Sequence, residues 1–327
     1  VLLMGPLLAR FGKIKIQKPG GCLIGNRPLD AHLEAFIDLG AEILPRGNSL
    51  EIILKNKPKN EVVLGEFSVT ATENILMLAS SISQKTIIKI AAMEPHVQDL
   101  IGFLKKMGVK IKLIDSHTIE IYGAKKLNGA KHRIIPDQIE AGTFLVLGGL
   151  LGGDMLIKNC RIDHLDLILK KMKEFNVDYK IEKRKGNFAD IRIKASYPLR
   201  AAKVQTMPYP GIPTDLQSIL GVLATQAQGT SMIHDPLYEG RFKYLDELMR
   251  MGANIVVCDP HRALITGRTQ LYGTNISSYD LRAGASLIIA GLIAEGETVI
   301  NDAYQIDRGY EKIEKRLQKI GADITRV

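Results

Sequence analysis

The sequence predicts an α/β fold built from repeated modules of about 70 residues, and three observations predict it. A short segment recurs five times, in which an amphipathic helix ends at Gly or Asn and an alternating strand follows. The residues that end these helices lie about 70 residues apart, at Gly40, Gly108, Asn176, Gly252 and Gly321. A second helix, apolar on nearly all sides, precedes each copy and is therefore predicted to be buried.

The elements follow one another in a fixed order along the chain. Residues 1–10 match the second half of a buried helix, and residues 13–16 form the next strand. The copies of the helix, cap and strand segment are residues 32–43, 99–111, 164–179, 244–255 and 312–324. The other buried helices are predicted at residues 71–82, 141–151, 214–228 and 282–295, with short strands after them such as residues 85–90 and 297–300.

A chain of 327 residues is long enough for about two domains, which we place at residues 1–135 and 136–327. The first module lacks its opening part. An even number of six modules would need one more, so we expect about 70 or more residues to precede Val1 and treat the chain as a fragment.

The composition limits the possible partners and the compartment. Forty-four basic against 35 acidic residues give a net charge of +9, which favours a multiply anionic partner, either nucleic acid or a small phosphorylated substrate. Because only 6% of residues are aromatic and Trp is absent, a base-stacking surface is disfavoured. Three scattered cysteines favour a reducing, cytoplasmic location. The apolar stretches are too short to cross a membrane, and the histidines show no metal-ligand spacing.

The buried helices begin with polar residues, as at Ser68, Gln138, Thr214 and Asp280. Capping alone would account for each of them. If the modules are related by symmetry, however, several helix N-termini converge, and their unpaired N–H groups form an anion site.

A glycine-rich segment at residues 18–32 contains Cys22 and Arg27. It predicts a loop that brings a thiol to a ligand, with Arg27 placed for bidentate binding of phosphate or carboxylate, although a plain turn with an incidental thiol is the alternative. Cys160 and Cys258 lie in or beside apolar strands and are predicted to be buried and inert.

Asp215 follows a proline-rich approach at a helix start, where it serves either as a cap or as a base. Arg241, Arg282 and Arg308 each lie one or two residues from an acid, so simple salt bridges between neighbours would also explain them.

Five motifs, taken together and in order, resemble those of the UDP-N-acetylglucosamine enolpyruvyl transferases, and the resemblance covers all 327 residues. They are PGGCLIGNRP at residues 19–28, PTDLQ at 213–217, EGRF at 239–242, DLRA at 280–283 and IDRGYE at 306–311. The resemblance implies two similar domains, each of three βαβαββ-type units, in a two-domain inside-out α/β barrel. The first domain would carry the Cys22 loop.

The implied reaction transfers the enolpyruvyl group of phosphoenolpyruvate to the 3-hydroxyl of UDP-N-acetylglucosamine, with release of phosphate. This would be the first committed step of peptidoglycan synthesis, with no metal or cofactor and with no nucleic-acid or membrane partner. Cys22 would be the general acid and Asp215 the base; Arg27 and Arg308 would hold phosphoenolpyruvate, with Arg241 and Arg282 supporting the anionic site. The residues expected at the sugar nucleotide are Arg27, Pro28, Leu29, Asp30, Ala31, Glu66, Phe67, Ser68, Val69, Asp215 and Leu237.

Two departures from the family pattern, Thr70 for a frequent Gly and Gln138 for a frequent Arg, put details of the sugar-nucleotide site in doubt. Lys18 and Arg27 should also favour the thiolate of Cys22, whereas an acid must arrive protonated. We expect the 327-residue chain alone to be inactive or nearly so, because family residues upstream of Val1 are missing.

Two rival functions remain at this point. The related transferase that acts on shikimate 3-phosphate shares the fold but lacks the cysteine loop. A basic, non-catalytic repeat protein that binds RNA would also explain the charge of +9. A cysteine at position 22 further predicts alkylation by the epoxide fosfomycin.

Overall fold

The computed structural model describes residues 1–17, 24–25, 28–194 and 196–327. This part of the chain divides into two compact units, one within residues 1–135 and the other formed by residues 136–327 together with Ile24 and Gly25.

The first unit contains two sheets covered by helices. Its helices are α1 (Met4–Phe11), α2 (Asp30–Asp38), α3 (Val69–Ala79) and α4 (Pro95–Lys106). Its strands are β1 (Lys13–Gln17), β2 (Ala41–Arg46), β3 (Ser49–Leu54), β4 (Glu61–Val63), β5 (Lys85–Lys89), β6 (Lys110–Asp115) and β7 (Thr118–Tyr122). The strand orders are β1-β3-β2, wholly antiparallel, and β4-β5-β7-β6, in which β4 and β5 are parallel.

The second unit repeats this arrangement. Its helices are α5 (Gln138–Leu151), α6 (Asp166–Glu174), α7 (Gln217–Thr225), α8 (Lys243–Arg250), α9 (Leu281–Ile293) and α10 (Ile313–Gln318), with 3-10 turns at Ile162–His164, Thr214–Leu216 and Ala303–Arg308. Its strands are β8 (Asp154–Arg161), β9 (Tyr179–Lys185), β10 (Phe188–Lys194), β11 (Lys203–Gln205), β12 (Gly229–His234), β13 (Asn254–Asp259), β14 (Arg262–Gly267), β15 (Asn275–Ser277) and β16 (Val299–Asn301). The sheets have the orders β8-β10-β9, β11-β12-β14-β13 and β15-β16.

The apolar helices are buried as the composition predicts. In α5, for example, every residue from Ala141 to Leu150 except Phe144 is buried, and in α7 all nine residues are buried. Each unit has its own hydrophobic cluster, one around Phe36 and Ile75, the other around Leu220 and Tyr244. Because each fully buried side chain of this size stabilises the fold by about 1.5–3 kcal/mol, these helices hold the sheets of their unit together.

The predicted helix stops are confirmed. Gly40, Gly108, Asn176, Gly252 and Gly321 all have positive φ, between 63° and 103°, which is the left-handed conformation that ends a helix. The strand predicted after Gly321 is wrong, since residues 322–327 form none. Ala322 and Ile324 pack onto the hydrophobic cluster of the second unit instead, because among the described residues no strand pairs with this segment.

The predictions for the two strand cysteines have different outcomes. Cys160 is buried, and burial raises the pKa of its thiol to about 11, as expected of an inert core cysteine. Cys258 is exposed, so the prediction that it is buried is wrong. It lies on β13 at the edge of its sheet, where Val256 and Val257 are exposed as well. Within the described ranges, no helix has both the length and the apolarity to cross a membrane.

Candidate active site

Asp215 lies between two arginines in the second unit. Its Oδ1 accepts a hydrogen bond from Arg241 Nη2 at 2.6 Å, and its Oδ2 accepts one from Arg282 Nε at 2.9 Å. The side chains of Arg241 and Arg282 are only 7% and 11% exposed, whereas that of Asp215 is 35% exposed. A ligand can therefore reach the carboxylate, and the arginines behind it are fixed.

The charge of Asp215 follows from this setting. Burial among protein atoms raises the pKa of a carboxyl, but Arg282 and Arg241 outweigh burial and hold the pKa of Asp215 below its ordinary value. In the same pair, burial lowers the pKa of the Arg282 guanidinium, and the charge of Asp215 more than compensates. The group is thus a carboxylate at neutral pH. Each of its oxygens accepts one hydrogen bond from an arginine of the described residues, which leaves a lone pair for a ligand.

The local fold brings these residues to the starts of two buried helices. Asp215 lies in the 3-10 turn that leads into α7, and Arg282 is the second residue of α9. Asp280 caps α9 by accepting from the backbone N–H groups of Arg282 and Ala283, at 2.8 and 3.0 Å. Arg241 Nη1 lies 3.5 Å from Asp280 Oδ1, so one guanidinium joins both helix starts.

The second turn of α5 joins the same cluster. Thr143 of α5 shares a hydrogen bond of 2.7 Å with the hydroxyl of Tyr310, and the guanidinium of Arg282 lies 5.1 Å from the centre of the Tyr310 ring. Within the second unit, the predicted convergence is therefore seen for the starts of α7 and α9, and α5 reaches the same cluster through Thr143.

Neighbour salt bridges do not explain the arginines at this cluster. The partners of Arg241 and Arg282 are 26 and 67 residues away in sequence. Asp307, the acid next to Arg308, pairs with Arg326 at 2.7 Å. Arg308 ends a 3-10 turn and donates to Gln305 Oε1 at 3.2 Å.

The other predicted residues of the sugar-nucleotide site lie mostly in the first unit. Leu29, Asp30 and Ala31 form the start of α2, and Pro28 is exposed before it. The predicted site residues at the start of α3 are Glu66, Phe67, Ser68 and Val69. Ser68 caps α3 by accepting from Ala71 N at 3.4 Å, and the Phe67 ring lies 4.6 Å from that of His117. Leu237, in the second unit, is 38% exposed.

Thr70, in the first turn of α3, connects this helix to the first turn of α2. Its hydroxyl lies 3.0 Å from Nε2 of His32 in α2, and His32 Nδ1 lies 3.2 Å from the Asn74 side chain. Burial lowers the pKa of His32 to about 4, so the ring is neutral and serves this hydrogen-bond chain. The departure from Gly at position 70 thus has a structural role.

Cys22 and Arg27 lie outside the described residues. Ile24, two residues after Cys22, is buried. Its carbonyl accepts a hydrogen bond from the backbone N–H of Gly240 at 3.0 Å, and Gly240 directly precedes Arg241.

Three polar residues were missed by the sequence reasoning. Thr214, at a helix start, predicts only a cap, and no sequence pattern at Asp235 indicates a site, although its hydrogen bond to the backbone N–H of Leu237 in Asp-Pro-Leu is a usual turn signal. Glu73 is an acid in a helix that is predicted to be buried, and an acid at such a position indicates an unusual environment. Burial and the charge of Glu94 raise its pKa to about 7. In the described part of the chain, no three acidic, His or Cys side chains cluster as metal ligands would.

A buried set of helix starts that holds an ionised carboxylate between fixed arginines can bind a polar ligand and accept a proton from it. Sequence comparison gives the class: the family described as EPSP synthase (3-phosphoshikimate 1-carboxyvinyltransferase) matches residues 1–317, and its members are enolpyruvyl transferases. A solved structure, the enolpyruvyl transferase NikO from Streptomyces tendae, has the same fold, with a TM-score of 0.85 at 24% identity over 98% of this chain and 75% of that one.

Curated relatives give the particular family. A UDP-N-acetylglucosamine 1-carboxyvinyltransferase of Koribacter versatilis is 44% identical over 326 residues, covering 100% of this chain and 74% of the relative. One from Caldanaerobacter subterraneus is 46% identical over 325 residues, covering 99% and 77%. The chain belongs to the family of UDP-N-acetylglucosamine 1-carboxyvinyltransferases.

Proposed function

We propose that the protein transfers the enolpyruvyl group of phosphoenolpyruvate to the 3-hydroxyl of UDP-N-acetylglucosamine and releases phosphate, the first committed step of peptidoglycan synthesis. The observation that carries this function is the identity of 44% and 46% with two transferases of that name over nearly the whole chain. The arrangement of Asp215, Arg241 and Arg282 supports it, because the reaction needs both a base and cations for anionic groups.

Asp215 is proposed as the base for the sugar hydroxyl. A carboxylate whose pKa lies below its ordinary value is far too weak to deprotonate a free alcohol. The proton must therefore pass to Asp215 as the new carbon–oxygen bond forms, which is general base catalysis. The two arginines keep the carboxylate ionised and aligned before that step.

The remaining roles are proposed from the family resemblance. Cys22 would protonate the methylene carbon of phosphoenolpyruvate, a proton that is lost again when phosphate leaves and the double bond returns. Arg27 and Arg308 would hold phosphoenolpyruvate, and Arg241 and Arg282 would also stabilise its negative charge. The sugar nucleotide would lie along residues 27–31 and 66–69 and near Leu237, where helix starts offer N–H groups.

The two units are proposed to be the two enolpyruvyl-transferase domains, at residues 1–135 and 136–327. The cysteine loop is assigned to the first domain by its place in the sequence, although its described residues Ile24 and Gly25 group with the second unit. A cytoplasmic location is proposed as well, supported by the three scattered cysteines and by the substrates. The expected partners are small molecules only.

The test uses the whole gene product that contains this chain and follows phosphate release from phosphoenolpyruvate. We expect release to require UDP-N-acetylglucosamine and not to occur with shikimate 3-phosphate. Asp215→Asn should lower kcat by about 100-fold or more, the usual contribution of a general base. Asp259→Asn is the matched control, because Asp259 also pairs with an arginine, Arg262 at 2.7 Å, away from the cluster. Release that depends on shikimate 3-phosphate, or on neither acceptor, would contradict the function.

A second test concerns Cys22. We expect fosfomycin to add covalently to this thiol, with no adduct at the buried Cys160, whose thiol has a raised pKa, and none in Cys22→Ser. Peptide mass mapping locates the adduct. An adduct elsewhere, or none in an active protein, would remove the proposed role of Cys22.

A further inference from the structure

We propose that Thr214 and Asp235 are positioning residues, which hold Arg241 in place and through it fix the Asp215 carboxylate. The inference rests on the proposed function, since it assigns a role toward the base of that reaction. It stands on a continuous chain of hydrogen bonds from Asp235 through Thr214 and Arg241 to Asp215.

The chemistry of the groups fixes the direction of each hydrogen bond. A carboxylate only accepts, so the Thr214 hydroxyl donates its one hydrogen to Asp235 Oδ2. A guanidinium only donates, so Arg241 Nε donates to the remaining lone pairs of Thr214 Oγ1, at 3.2 Å. The Thr214 hydroxyl thereby donates to the Asp235 carboxylate and accepts from the Arg241 guanidinium.

All three faces of the Arg241 fork are engaged. Nε meets Thr214, Nη2 meets Asp215 at 2.6 Å, and Nη1 lies 3.5 Å from Asp280. Because the guanidinium is planar and its donors form a rigid fork, partners at all three of its nitrogens restrict its orientation. The position of Asp215 Oδ1 is then set by Arg241 as well as by its own backbone.

Asp235 is the buried end of this chain. It is 0% exposed, and its Oδ1 accepts from Leu237 N at 3.0 Å, which leaves Oδ2 for Thr214. A buried carboxyl oxygen without a hydrogen-bond partner is costly, so both oxygens of Asp235 need the donors that they have here. No backbone N–H hydrogen bond to the Thr214 side chain is among the contacts of the described residues, so an ordinary cap does not account for this hydroxyl.

The experiment compares Thr214→Val with Thr214→Ser in the whole gene product. Valine keeps the shape and removes the hydroxyl, whereas serine restores it. We expect Thr214→Val to lower kcat by about 10- to 100-fold, the effect of a misplaced catalytic group, with KM for UDP-N-acetylglucosamine changed less than about threefold. Thr214→Ser should stay within about threefold of the parent kcat.

The pH profile separates positioning from a merely structural effect. When Arg241 is released, its charge lowers the pKa of Asp215 less, so this pKa rises. Since the base must be deprotonated, the acid limb of kcat should move to higher pH in Thr214→Val and not in Thr214→Ser. The matched control is Thr86→Val, because the Thr86 hydroxyl is also buried but has no hydrogen-bond partner among the described residues and lies in the other unit.

The outcomes are distinct. An unchanged kcat and acid limb in a folded Thr214→Val would overturn the inference, as would an equal loss in Thr86→Val or no rescue by serine. Where Thr214→Val does not fold, Asp235→Asn tests the same chain, since its amide presents a donor to Thr214, and the same shift of the acid limb is expected. A parent protein that releases no phosphate with the UDP-sugar would instead refute the proposed function.

Discussion

At the scale of single residues, buried charge in this protein is either compensated or neutralised. Asp215 is compensated by Arg241 and Arg282, so its pKa falls. Among the described residues no cation compensates Glu73: burial and the nearby Glu94 raise its pKa to about 7. The first group is kept charged and accessible, as the proposed base must be. The second is protonated at the lower end of the physiological range and makes the first unit sensitive to pH.

This sensitivity gives a prediction for the stability of the first unit. The pKa of Glu73 is higher in the folded state, about 7, than its ordinary value of 4.5. The favourable contribution of Glu73 to the free energy of folding is therefore complete below pH 4.5 and is lost as pH rises through about 7. We expect Glu73→Gln to abolish this loss and to melt at a higher temperature than the parent at about pH 8.

Thermal denaturation at several pH values between these limits measures the effect. Glu61→Gln is the control, because Glu61 is exposed on β4 and should leave the pH dependence unchanged. A parent protein whose melting temperature does not fall between about pH 5 and 8, relative to Glu73→Gln, would show that Glu73 ionises without cost.

The sequence predicts which residues form the site, but it does not predict contacts between residues that are far apart in the chain. The motifs single out Asp215, Arg241 and Arg282, yet their local spacing suggests pairing with adjacent acids. The true pairs join residues 26 and 67 positions apart. The packing of α7 against α9 brings Asp215 to Arg282, and Arg241 reaches the same carboxylate from the turn before α8. Thr214 escapes notice for a related reason: a Thr at a helix start normally caps that helix, and its use toward Asp235 depends on the end of β12.

At the scale of elements, helix type and helix end are strongly encoded. The sequence predicts the apolar helices to within about three residues at most ends, because their composition leaves no polar face. The predicted helix at residues 214–228 is shorter than expected: it begins as a 3-10 turn and α7 ends at Thr225. The strand expected after Gly321 fails because a strand needs a hydrogen-bonded neighbour, which no local pattern guarantees.

The helix stops give the prediction at this scale. Gly40 and Gly47 both have positive φ, 91° and 60°, so alanine at either position meets backbone strain of about 1 kcal/mol. At Gly40 an added Cβ would also lie 2.2 Å from the backbone oxygen of Asn56, whereas at Gly47 it would meet nothing within 4 Å. We expect Gly40→Ala to destabilise the protein by more than about 2 kcal/mol and Gly47→Ala by about 1 kcal/mol.

Urea denaturation of the two variants decides the point, since both lie in the first unit and share β2 and β3 as neighbours. Equal shifts in the urea midpoint would mean that the loop at Asn56 yields easily and that only the left-handed conformation matters.

At the scale of the whole molecule, the repeat is the property that the sequence predicts best. One period of about 70 residues accounts for the sheets of both units and for the position of every described helix stop. The same period does not predict which module carries the chemistry. Asp215, Arg241 and Arg282 break the symmetry, because the equivalent helix starts of the first unit hold a neutral chain of Thr70, His32 and Asn74 instead.

The net charge of +9 leads to a prediction about substrate capture. Both proposed substrates are multiply anionic, so the field of the protein should raise their encounter rate, and salt should screen it. The screening length falls from about 30 Å at 0.01 M to about 8 Å at 0.15 M ionic strength. We therefore expect kcat/KM for phosphoenolpyruvate to fall by about 3- to 10-fold over this range. By contrast, kcat should change little, because the arginines around Asp215 are largely buried and hardly screened.

Initial rates in potassium chloride, with sucrose as the uncharged control, provide the measurement. A kcat/KM that is independent of salt would mean that capture depends on local contacts alone, and a parallel fall in kcat would mean that salt reaches the cluster itself.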